Sequence, residues 1–338
     1  MTGGYPWQDR QWSQLMARVE SHSLPHAMLF SGINGLGKTE FATRFIHALL
    51  CTNQQDNGNP CGACKGCTLL AANTHPDLVQ IVPEEAGKAI KVDQIRDAQG
   101  FVGLTSQYQG YRILLVNPAD AMNINAANSL LKTLEEPPAN AIIILVTDYP
   151  GRLLPTVRSR CQQLLFYPPD RALGVQWLKG HLAEATAAEV TTLLELAAGA
   201  PLQALAMSRN DTLSAQEHML SGLGQLLSQQ ADPVKIASTW YKNEPVRTLL
   251  WFSSLIRDMI RLKSVPGNGD VASSAAEFLE KPHSLQKSRE FAQHIEIKQL
   301  YSYLDALAEA GRLLRGQVNI QLLMEELLIR WSRYGKSR

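Results

Sequence analysis

The sequence predicts an α/β domain on a mostly parallel sheet, followed by a small helical unit and an all-helical C-terminal domain. Three observations predict it. Five apolar runs without polar alternation lie in the first half, separated by helical patterns, as expected of strands covered on both faces and joined by crossovers. A glycine-rich loop stands between the first apolar run and an amphipathic stretch. After "YPPD" (167–170) nothing strand-like follows.

A first helical pattern puts Trp12, Leu15, Met16 and Val19 on one face. Strands are predicted near 28–31, 78–82, 112–116, 142–147 and 164–167, with "KVDQIRDAQGFV" and "NAANSLLKTLEE" among the helices between them. Residues 169–208 read as a small helical lid that includes "AEVTTLLELAAG". Residues 209–338 read as a helical domain carrying "EPVRTLLWFSSLIRDMIRLK", "IKQLYSYLDALAEAGRLLRG" and "IQLLMEELLIRWSRY", interrupted by the Gly/Ser-rich "SVPGNGDVASS". The expected domains are therefore 1–168, 169–208 and 209–338.

Apolar content of 45% with 19% charged residues over 338 positions is that of a soluble globular chain with a substantial core. With 32 basic against 31 acidic residues the net charge is +1, so no global field advertises a nucleic-acid or membrane partner. "MTGGYPWQDRQWSQ" lacks a secretory pattern, and the strand-like run "AIIILV" is far too short to cross a bilayer. A cytoplasmic location is expected. The basic "RWSRYGKSR" near the end reads as a solvated tail.

The glycine-rich loop is "SGINGLGKTEF" (31–41), whose Gly32 to Thr39 portion fits G-x-x-x-x-G-K-[ST]. "AMLF" leads in, and "EFATRFIHALL" leads out with Phe41, Phe45 and Leu49 on one face. Strand, glycine loop and helix in that order make a phosphate cradle, in which backbone N–H groups and a helix N-terminus face an anion. The predicted nucleotide-binding residues are Gly32, Asn34, Gly35, Gly37, Lys38 and Thr39, with Lys38 reaching the β- and γ-phosphates and Thr39 ligating Mg²⁺. The nucleotide is ATP or ADP; the sequence leaves open which of them, and whether Mg²⁺ accompanies it.

Four of the five cysteines cluster as Cys51, Cys61, Cys64 and Cys67, with nine, two and two residues between them. Cys61, Cys64 and Cys67 share a glycine-containing turn, and Cys51 ends the preceding helix. Four thiolates so spaced predict a closed structural Zn²⁺ site stapling an insertion (51–67) to the domain. An iron–sulfur cluster is the rival, although no C-x-x-x-C-P continuation follows. His75 could replace one cysteine; as a lone histidine in a turn it is expected to be solvated.

The loop, the cysteine cluster, "THPD" (74–77), "LLKTLEEPP" (130–138) and "SRC" (159–161) occur in that order. As a set they resemble the clamp-loader branch of the AAA+ ATPases, specifically the bacterial DNA polymerase III clamp loader. The resemblance implies a RecA-like domain, a lid and an oligomerising collar, assembled as a pentamer that places a sliding clamp on primed DNA during replication. It implies delta and gamma/tau-type subunits as partners. "NIQLLMEELLI" is similar to the collar's last helix. Glu135 and Glu136 oppose the dipole at the end of their helix and need basic or backbone partners. They read as structural or subunit-facing rather than catalytic.

The resemblance also exposes departures. Where the family carries Asp-Glu after the third strand, "RILLVNPADAMN" has Asn117 and Pro118, and Asp120 comes three residues late. An amide is a poor metal-bound carboxylate, and proline activates no water. Where the family's lid carries a γ-phosphate-sensing arginine, "GAPLQAL" (199–205) has Leu202. Arg160, in "SRC", matches the family's arginine finger, which reaches a neighbouring subunit's nucleotide; Arg158 is the adjacent candidate, and the motif selects Arg160. Cys161 reads as packing. The implied role is a non-hydrolysing stator supplying Arg160 in trans, within the DNA polymerase III holoenzyme but with no ATPase or polymerase activity of its own. The alternatives are a catalytically active motor subunit, against which residues 117, 118 and 202 count, and an independent P-loop motor, against which the cysteines and "LEEPP" count.

Overall fold

The computed structural model describes residues 4–85, 87–104, 106, 110–209, 212–241, 245–264, 284–314 and 318–336. The Gly/Ser-rich break after Ser264 and the last two residues of the basic tail lie outside them. The chain divides into two compact units: residues up to Trp177 together with Ala198–Gln203, and Leu178–Ala197 together with the residues from Ala204 onward.

In the first unit the order is α1 (Asp9–Glu20), β1 (Ala27–Ser31), α2 (Lys38–Leu49), α3 (Lys65–Ala71), β2 (Leu78–Ile81), α4 (Val92–Val102), β3 (Arg112–Val116), α5 (Ile124–Glu135), β4 (Ala141–Thr147), α6 (Pro155–Arg158) and β5 (Gln162–Leu165). The strands form one parallel sheet in the order β2-β3-β4-β1-β5. This is the RecA-like α/β arrangement of the expected fold class. β1, β3 and β4 are buried along their whole lengths, which is why they carry unalternated Ile, Leu and Val. On one face Leu29, Leu114, Val116, Ile143 and Leu145 pack with Ile95, Ala98 and Val102 of α4 and Ala126, Leu130 and Leu134 of α5. On the other, Phe30 meets Phe41, Phe45 and Phe166 at ring-centroid distances of 5.6, 6.5 and 5.8 Å, and Trp12 of α1 stands edge-on to Phe41. Leu49 is only half-buried; Ile46 takes the place expected for it.

α7 (Arg171–His181), α8 (Ala187–Leu196) and α9 (Pro201–Ser208) follow β5, and then α10 (Thr212–Leu227), α11 (Pro233–Trp240), α12 (Pro245–Ser264), α13 (Ser284–Ala292), α14 (Ile297–Leu313) and α15 (Ile320–Ser332). The second unit's core centres on the fully buried Trp331, whose ring lies 5.1 Å from Phe252, 5.5 Å from Tyr303 and 6.0 Å from Phe291. Trp331 Nε1 donates to the Leu223 carbonyl at 3.0 Å, and the Tyr303 hydroxyl to that of Leu327 at 2.8 Å. Burial holds the Tyr303 phenol well above its usual range, so it stays a neutral donor. Among the described residues no single helix is long and apolar enough to cross a membrane.

Candidate functional site

β1 and α2 deliver the glycine loop to the C-terminal edge of the sheet, where ligands of open α/β folds bind. Gly35 and Gly37 adopt φ of +82° and +79°, a region that costs any other L-residue, and Gly37 caps α2. Asn34, Gly35, Gly37, Lys38 and Thr39 line a cleft of about 220 Å³ with Glu40, Asn117, Pro118, Thr147, Asp148, Leu202 and Gln203. Gly32 is not among the lining residues; a Cβ there would lie 2.4 Å from the Phe166 carbonyl oxygen.

Several polar groups of the cleft are already engaged by the chain. Lys38 Nζ pairs with Asp148 Oδ1 at 2.7 Å and donates to the Ile33 carbonyl at 2.7 Å, its side chain only 3% exposed. The amide of Asn117, the residue after β3, donates from Nδ2 to the Thr39 hydroxyl at 3.2 Å. Asp120 accepts from the Thr147 hydroxyl at 2.5 Å and pairs with Arg152 at 3.6 Å. Leu202 N donates to the Gly35 carbonyl at 3.1 Å, and Asn34 Nδ2 to Gln203 Oε1 at 3.3 Å. From outside, Gln8 Nε2 donates to the carbonyls of Leu36 and Gly37 at 2.8 and 2.9 Å, and Trp7 Nε1 to Leu36 at 3.0 Å.

Sequence reasoning missed Asp148, Gln203, Trp7 and Gln8. Asp148 had a signal: it is the first residue past β4 on the ligand-binding edge of a parallel sheet. The other three are joined to the loop only by tertiary contacts.

Arg160 lies beyond α6 with its guanidinium held on two sides. Nη2 pairs with Glu135 Oε1 at 2.5 Å, and Nη1 donates to the Thr156 carbonyl at 3.0 Å. Glu135 therefore has the basic partner its position demanded. Arg158 is turned to the Pro150 carbonyl at 3.5 Å. Cys161 packs into the α4/α5 core, and burial pushes its thiol up to about 12, as befits packing rather than a nucleophile.

The cysteines converge at the end of α2 and the start of α3. All four sulfurs lie within 4.8 Å of one another, Cys51 to Cys64 at 3.8 Å and Cys61 to Cys67 at 4.0 Å. A tetrahedral ion with metal–sulfur bonds of about 2.3 Å spaces its sulfurs about 3.8 Å apart, so the donor set fits one ion. Backbone N–H groups already point at the sulfurs: Cys61 N at Cys51, Cys64 N at Cys61 and Cys67 N at Cys64, at 3.3, 3.3 and 3.4 Å. Burial pushes Cys67 up to about 12. For Cys64 burial acts the same way, but hydrogen bonds from Cys67 and Thr52 outweigh it and bring the thiol to about 5. Loading an ion on the set must therefore release protons.

His75 is neither solvated nor part of the sulfur cluster. It is 5% exposed, its Nδ1 accepting the Asp77 N–H at 3.1 Å, beside a buried Asp77 that pairs with Arg112 at 3.6 Å and accepts from Ser106 at 3.1 Å. A lone histidine in a turn is expected to be solvated, but packing buries this one.

Residues 7–170 match the family described as DNA polymerase III, delta subunit, and residues 210–333 match DNA polymerase III, delta subunit, C terminal. The chain is 36% identical over 335 residues to DNA polymerase III subunit delta′ of Pseudomonas aeruginosa, covering 97% of each. It is 30% identical over 335 residues to the Escherichia coli subunit delta′, covering 98% of this chain and 96% of that one. The Bacillus subtilis subunit delta′ is 30% identical over 336 residues, with 95% of each covered.

Proposed function

The chain belongs to the DNA polymerase III delta′ subunit family, and from that membership we propose that it is a non-hydrolysing stator of the clamp loader. It completes the active site of a neighbouring gamma/tau-type ATPase subunit, holds the delta subunit, and supports loading of the sliding clamp onto primed DNA. The observation that carries this reading is the Asn117–Thr39 contact. Thr39 is the residue of the loop that would ligate Mg²⁺, and what faces it after β3 is an amide donor rather than a metal-binding carboxylate. The commitment of Asp120 to Thr147 and Arg152 supports the same conclusion.

Arg160 is the residue proposed to act, in trans. Its fork of donors suits phosphate oxygens, and Glu135 and Thr156 each engage one terminal nitrogen, leaving each a second N–H, while its side chain stays 36% exposed. Asn34, Gly35, Gly37, Lys38 and Thr39 form a cradle for ATP or ADP that is not turned over, with Gly32 giving the loop room beside the Phe166 carbonyl. Cys51, Cys61, Cys64 and Cys67 hold one Zn²⁺ ion, whose chemistry here is to cross-link α2, the loop after it and α3. The chain works in the cytoplasm. Its net charge of +1 leaves DNA contact to be shared among subunits.

Steady-state ATPase assays of the isolated chain, and of the complex reconstituted with wild-type or Arg160→Ala chain, test this. The isolated chain is expected to show no turnover, and the substitution to lower the turnover that depends on this finger by about 10³–10⁵-fold. Robust turnover by the isolated chain would overturn the stator reading in favour of a motor subunit.

A further inference from the structure

Lys38 is an ammonium buried to 3% exposure, and it already owns an anion: Asp148 at 2.7 Å. A buried cation needs a partner, and whatever replaces that partner must offset its loss. Asp148 is well fixed for the task. It leaves β4 directly after Thr147, whose hydroxyl is tied to Asp120 and accepts the Tyr149 N–H at 2.9 Å, while Arg152 covers the Tyr149 ring at 3.9 Å. The strand end is therefore braced on both sides of Asp148. Of the residues lining the cleft, Lys38 is the one cation, set against the acids Glu40 and Asp148. A polyphosphate entering here would have to take the ammonium from a carboxylate and then sit beside that carboxylate's freed charge.

We propose that Asp148 is the anion-selectivity residue of this cleft, an internal counterion that occupies Lys38 in place of phosphate and keeps the affinity for nucleoside polyphosphates low. The inference rests on reading the loop as a phosphate cradle, and it is separate from the role of Arg160. Asp148 is 34% exposed in its side chain, so water competes for it and the exclusion is one of degree.

The test is calorimetric titration of the full chain with ADP and with a non-hydrolysable ATP analogue. Asp148→Asn keeps the shape and removes the charge, and it is expected to tighten binding about tenfold or more, since a unit charge within a few ångströms of the phosphates is removed. The gain should vanish in the double variant Asp148→Asn with Lys38→Met, which shows that it acts through the ammonium. Should Asp148→Asn fold poorly by circular dichroism, Asp148→Ser gives the same reading. Equal binding by wild type and Asp148→Asn would overturn the inference and leave the cradle standing. Absence of binding at millimolar ligand in both would overturn the inference and the cradle together.

Discussion

Gly35→Ala should destabilise the first unit even with no nucleotide present. A Cβ at Gly35 would lie 2.4 Å from Gln203 Cβ and 2.5 Å from Gln203 N. The second of these is backbone, and it cannot rotate away. At φ +82° the left-handed conformation alone costs an alanine about 1–2 kcal/mol. Overpacking adds about 1–3 kcal/mol, and relief by moving Gln203 away would break the Leu202–Gly35 hydrogen bond. The total of roughly 2–5 kcal/mol corresponds to a fall of roughly 4–20 °C in the melting temperature of a unit this size. Differential scanning calorimetry of the full chain, compared with Gly151→Ala, reads it. Gly151 has nothing within 4 Å of its would-be Cβ and is not at positive φ, so that control should stay within about 0.5 kcal/mol. A glycine serving only to admit phosphate would lose affinity on substitution and keep its stability. A Gly35→Ala chain melting with wild type would therefore refute the packing argument.

Cys64→Ser should cost at least about 10–100-fold in metal affinity, the loss that removing even an outer partner produces, and the dialysed protein should fall well below one zinc per chain by atomic absorption. A brown wild-type protein would instead indicate iron and sulfide. His47 and His75 are both held below the usual imidazole range, by burial in each case, with the His75 charge adding to the effect at His47 and Asp77 opposing it at His75. The unfolded chain then binds more protons below about pH 6.5, so stability is lost as pH falls through that point. At verified metal content, melting should be lower at pH 6.0 than at 7.5, and less so in His75→Gln; melting that rises on acidification contradicts the assignment. Trp331→Ala should cost the helical unit about 3–5 kcal/mol by urea unfolding, and Trp331→Phe less, since only the bond to Leu223 and part of the ring are lost.

The fold was legible where burial is uniform. β1, β3 and β4 lie inside the sheet with helices on both faces, so their runs of Ile, Leu and Val announce them within a residue or two. β5 is an edge strand with Gln162, Gln163 and Leu165 exposed. Its apolar signal comes from Leu164 to Tyr167, two residues beyond the segment that pairs with β1. The candidate site divides similarly. The glycine loop and the four cysteines are read from local spacing, because a turn or a ligand set is a local geometry, whereas Arg160 is singled out only by the resemblance of "SRC" to the family motif. Glu135 meets Arg160, and Asp148 meets Lys38, across long stretches of chain, and no local period encodes either pair.

The stack over the outer side of the glycine loop gives the molecule an optical property. Tyr5 and Trp7 lie nearly parallel at 4.9 Å, Trp177 stands edge-on to Trp7 at 5.3 Å, and Trp7 is tied to the Leu36 carbonyl. Trp7 hydrogen-bonds to the loop itself. Any event that shifts the loop changes the polarity around one indole and its coupling to a second. Intrinsic fluorescence, compared with a Trp7→Phe chain, thus reports the state of the cleft in solution without a label.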